Sequence, residues 1–156
     1  MAPLTPVQEI DLLLNSIEEN CELSRDQIAR FKLDVLALIG PKLLPIASES
    51  MALAKDFMTG SISESAIASA LERCWNSSDQ NRGLTTPESN STRAVICLLY
   101  GLIHGEKDDV VDSLSFFLTL VNNVEPHVSR ELELLHRHFR DCLGDEHGSA
   151  WPQSTS

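Results

Sequence analysis

The chain has 156 residues, of which 42% are hydrophobic and 22% charged, enough to bury a core as one domain and close to ordinary globular usage. Asp and Glu number 23 against 12 Lys and Arg, a formal net charge of −11 that disfavours nucleic acid and anionic lipid, both of which are held by cations on phosphates. No apolar run reaches the about 18 residues needed to span a bilayer, and the opening Met-Ala-Pro-Leu-Thr-Pro carries no basic residue, so no secretion signal is read and a cytoplasmic location is expected.

Helix punctuation runs the length of the chain. Thr5-Pro6-Val7-Gln8 combines an N-cap, a proline at the first helical position and a capping-box Gln. Val7, Ile10, Leu13, Leu14 and Ile17 follow as one apolar face. Ser24 to Gln27 reads as a second capping box, opening a helix with Ile28, Phe31, Val35, Leu36, Leu38 and Ile39 inside and Gly40-Pro41 as its stop. Pro45 either begins the third helix or kinks an earlier turn, and Ala47, Ser48, Ser50, Ala52 and Ala54 allow close approach of a neighbour before Gly60 ends it.

Ser61 to Glu64 predicts a third capping box and a fourth helix carrying Ile62, Ala66, Ile67, Ala70, Leu71, Cys74 and Trp75. Asn76 to Ser91, rich in Ser, Thr and Asn, reads as the longest loop. The helix from Thr92 to His104 is apolar around most of its circumference and belongs at the centre of a bundle. Gly105 suits a left-handed cap, and Glu106 to Asp109 lead into a sixth helix with Val110, Val111, Leu114, Phe117, Leu118 and Val121 as its stripe. A seventh, from about Pro126 to Leu143, turns Val128, Leu132, Leu135, Phe139 and Cys142 inward and closes at Gly144. The fold expected is all-α, a single-domain bundle of six or seven helices over residues 1–144, with a disordered tail at 145–156.

The four cysteines, Cys21, Cys74, Cys97 and Cys142, form no C-x-x-C pair, and reduced core thiols are expected. Neither G-x-G-x-x-G, nor a phosphate-binding P-loop, nor G-x-S-x-G is present. His136 and His138 point about 200° apart on a helix and cannot share a metal from one face. Glu133 and His136 have the spacing of di-iron bundles but lack the second pair that such a site needs. Glu131 and His138, about two turns apart, could approach one another. His104 before the Gly105 cap suits the negative end of the helix dipole. Cys97 lies inside the most apolar helix, and Cys142 near a helix end, where the dipole raises a thiol pKa. No catalytic residue, cofactor or metal is therefore assigned.

Binding residues are read from charge. Glu106, Asp108, Asp109 and Asp112 cluster where the sixth helix begins, and Glu18, Glu19, Glu22 and Asp26 where the first helix meets the second. Carboxylates at a helix N-terminus are also stabilised by the dipole alone, and an acidic surface also serves solubility. Either patch could receive Lys and Arg side chains of a basic partner. Trp75, placed at the end of the fourth helix, is either a core residue closing the bundle or an aromatic anchor for a partner.

The stretch Ala70-Leu71-Glu72-Arg73-Cys74-Trp75, the run from Arg93 to Glu106 and the following Val110, Val111 and Leu114 resemble small all-helical bacterial proteins that include toxin-neutralising immunity proteins. The resemblance covers about a third of the chain, near residues 70–121, and transfers no binding residue, because that group uses varied surfaces for varied toxins. It implies an antitoxin-like protein that covers the active site of a basic toxin acting in the cytosol, with a nuclease favoured by the charge. The alternative is a helical adaptor or regulatory module without a toxin partner. A metal-assisted hydrolase of the bundle type is the third class.

Overall fold

A computed structural model describes residues 2–80, 86–105 and 110–150, with side chains described as far as Asp141 but not at Gln80. Its elements are α1 (Pro6–Asn20), α2 (Arg25–Ala37), the short 3-10 turn η1 (Gly40–Lys42), α3 (Pro45–Met58), α4 (Glu64–Gln80), α5 (Pro87–His104), α6 (Val110–Val124) and α7 (Val128–Ala150). No strand occurs among the described residues. The fold is thus an all-α bundle.

The caps explain the boundaries. At α1 the Thr5 hydroxyl accepts from the Gln8 N–H at 3.2 Å, and the Gln8 side chain accepts from the Thr5 N–H at 2.9 Å, a complete capping box. Ser24 caps α2 through the Gln27 N–H, but the Gln27 amide turns away and donates to the His138 carbonyl of α7. That box is half made, its second arm spent on holding two helices together. Pro45 begins α3 rather than kinking it. At its far end Ser61 N–H donates to the Asp56 carbonyl and Gly60 N–H to Phe57, with Gly60 at φ 81°. This is a Schellman closure, which asks for glycine at the left-handed position. Gly105 closes α5 at φ 76°.

Packing follows from α5. Ala94, Val95, Ile96, Leu98, Leu99, Gly101 and Leu102 are all buried, leaving a strip along Arg93, Cys97, Tyr100 and His104 that is half-buried or exposed. It touches α2, α3, α4, α6 and η1, while α7 lies across α1 and α2, and α1 spans α6 and α7. Of the five small residues of α3, Ser48 and Ala52 are exposed, and only the other three meet a neighbour. Ala47, Ser50 and Ala54 are fully buried against α4, and the Ser50 hydroxyl donates to the Ile46 carbonyl and lies 3.3 Å from Cys74 Sγ. Lys32 is a core residue that the apolar pattern does not predict. It is 1% exposed, donates from Nζ to the Cys97 carbonyl at 3.2 Å, and holds its ammonium 5.8 Å from the centre of the Phe117 ring.

Four expectations are corrected. The long loop at 76–91 shrinks from both sides, because α4 continues to Gln80 and Thr86 caps α5 through the Ser89 N–H ahead of Pro87. The Thr-Pro start at Thr86 repeats the one at Thr5, but a run of polar residues after it hides the helix. The fourth helix starts later than predicted, with the Ser63 hydroxyl, not Ser61, accepting from the Ala66 N–H at 3.4 Å. Helix α7 runs past Gly144 to Ala150, since an interior glycine costs a helix only about 1 kcal/mol. Residues 151–156 of the predicted tail, and the side chain of Cys142, lie outside the described residues. Finally, Cys21 stands in a disulfide, whereas Cys74 and Cys97 stand outside any disulfide, so the expectation of uniformly reduced cysteines fails at Cys21.

Two measurements test this description. Phe117→Ala, at a fully buried position, is expected to cost about 3–5 kcal/mol in chemical denaturation. Unreduced protein in denaturant should take up two maleimides, on Cys74 and Cys97, and reduced protein four. Four labels without reductant would mean that the disulfide does not form.

Candidate functional site

Asp112, the described member of the second acidic patch, lies at the same end of the bundle as the first patch, far from it in sequence. The Arg25 guanidinium, in the first turn of α2, donates to the Leu102 carbonyl near the end of α5 at 2.6 Å. This contact sets the α1–α2 junction beside the end of α5, one short connection from the first turn of α6, and α1 packs on α6 directly. Glu18, Glu19, Glu22, Asp26 and Asp112 are all exposed there. Glu106, Asp108 and Asp109, assigned to the same patch, lie outside the described residues.

Trp75 does not join them. It is not at a helix end, because α4 extends to Gln80, and it lies towards the opposite end of the bundle, beside the start of α5. Its side chain stands 47% exposed on the outer face, so the reading of a core tryptophan closing the bundle is set aside.

Exposed apolar groups that the charge reading overlooked sit next to the acidic end. Phe116 is 57% exposed, one turn after Asp112 on the same face of α6. Leu12, 50% exposed, lies two turns before Glu19 on the same face of α1. A signal was present in the sequence: Phe116 falls on the side of α6 opposite the stripe of Val110, Leu114, Phe117 and Val121.

The histidines are divided among separate contacts. His138 Nε2 lies 2.7 Å from Asp34 Oδ2, joining α7 to α2, with the imidazole edge-on to Phe31 at 5.9 Å. His136 faces α1 instead, where burial and Arg140 lower its pKa and Glu9 opposes them. Glu133 pairs with Arg130 at 3.7 Å, and Glu131 bonds to Asn122 while His138 is engaged by Asp34. His104 stacks on Tyr100 at 4.5 Å in the last turn of α5. Among the described residues no three metal-binding side chains converge. Cys74 is deep, and burial pushes its thiol up, away from the thiolate that nucleophilic chemistry requires.

At the other end of α7 a small charged network closes the turn from α6. Lys42 Nζ lies 3.0 Å and His127 Nε2 2.6 Å from the two oxygens of Glu125, and together they hold its carboxyl below the ordinary range. A shallow recess lies between α2 and α5, lined by Arg25, Ala29, Lys32, Leu98, Gly101 and Leu102. The Arg25 bond to Leu102 already crosses it.

Comparison with protein-family models, with curated proteins and with solved structures finds no match. With Trp151 replaced by Phe, Trp75 is the sole tryptophan, and its half-exposed ring should give emission readily quenched by acrylamide. Emission that resists quenching would place the indole inside the bundle.

Proposed function

We propose that this chain is an immunity or antitoxin-like binding protein that neutralises a basic toxin, with a nuclease as the favoured class, by covering its active site with the acidic end of the bundle. One observation carries the reading: exposed carboxylates from α1, the α1–α2 connection, α2 and α6 gather at one end with Phe116 one turn from Asp112. A net charge of −11 draws a basic partner in at long range, and an apolar residue edged by charge is the composition of a binding centre with a polar rim. The resemblance of residues 70–121 to immunity proteins suggests the toxin class. The second reading, a helical adaptor without a toxin, draws on the same surface but needs no single tight partner.

Capture from the host lysate at low and moderate salt separates them. A single basic polypeptide, retained stoichiometrically, is the expected result, whereas several weak partners or none would turn the reading to an adaptor. With the captured partner, Glu22→Lys with Asp26→Lys should slow association about tenfold at low salt and by less at high salt. Phe116→Ala should act chiefly on dissociation. An association rate indifferent to salt would remove the electrostatic basis of the proposal.

A further inference from the structure

Glu131, in the first turn of α7, is completely buried. One of its oxygens accepts from the Asn122 side-chain amide at 3.0 Å, and the other, Oε2, has no hydrogen-bond partner among the described residues. The other end of the same amide is also engaged, with Asn122 Oδ1 accepting from the His127 N–H at 3.1 Å. Asn122 thus joins the last turns of α6, the connection and the first turn of α7. Among the described residues no cation pairs with the carboxyl. His127, which favours its ionised form, is held against Glu125, and Glu125 is shared with Lys42 of η1. Glu9 of α1 acts on His136, further along α7.

A carboxylate sealed from water with one neutral donor is costly, while the neutral acid in the same place costs far less. We propose that Glu131 is a protonation-controlled latch: as the neutral acid it keeps the α6–α7 corner closed, and loss of its proton to solvent opens that corner. The binding end lies at the other end of α6, so the inference stands apart from the proposed function. Burial lifts the carboxyl from the ordinary 4.5 to about 7, with the Asn122 bond and His127 opposing. A folded-state value above the unfolded one means that the closed corner binds the extra proton. Its stabilisation is complete below about 4.5, falls as pH rises through about 7, and is level above that.

Hydrogen exchange of the full chain, corrected for the intrinsic pH dependence of amide chemistry, reads this directly. Between pH 6 and 8 the opening constant for amides near residues 122–131 should rise about tenfold, and in Glu131→Gln it should stay flat. Asn122→Ala removes a bond that favours the carboxylate, and should move the midpoint to higher pH. A wild-type corner with no pH dependence would overturn the latch. So would the same rise in Glu131→Gln, or, if that variant does not fold, an unmoved midpoint in Asn122→Ala.

Discussion

Everything in this bundle is arranged around a helix that is buried over most of its circumference. Because α5 is apolar from Ala94 to Leu102, it needs neighbours over most of its circumference, and α2, α3, α4 and α6 supply them. That requirement fixes the layout of the rest. With α5 occupied by those four, α7 rests mainly on α1 and α2, and α1 bridges α6 and α7. The outer helices can afford narrow apolar stripes and long polar faces, and most of the negative charge goes there.

The elements legible in the sequence were those whose ends are chemical events. Thr5-Pro6, Ser24, Gly60 and Gly105 each satisfy backbone groups that a helix terminus leaves open, and each stands where the pattern predicts. What misled was composition. The stretch from Ser89 to Thr92 is polar but buried in the first turns of α5, where Ser91 and Thr92 hydroxyls donate back to the Glu88 carbonyl. Such hydroxyls satisfy themselves on their own helix, so a polar run need not be a loop. Lys32 misled in the opposite sense: the position lies within an apolar stripe, and a long aliphatic stem lets a charged residue occupy it.

The candidate site was legible as charge but not as shape. Two clusters could be named from the sequence, yet nothing in their spacing told that Arg25 and Leu102 meet and bring the α1–α2 connection to the end of α5. Long-range contacts of that kind arise from packing, not from any local period. The same holds for Glu131, whose burial depends on α6 and whose spacing to His138 suggested a partner on the wrong element.

The bond at Cys21 has a wider bearing. Cys21 directly follows α1 and opens the connection that carries Glu22 towards Asp26. Crosslinks act first on the freedom of the unfolded chain, and they persist only where the surroundings oxidise. The thiol–disulfide balance of the host therefore becomes a variable of the surface itself. Material prepared in a reducing cell and material prepared in an oxidising one are two different reagents with one sequence, and affinities measured on them need not agree.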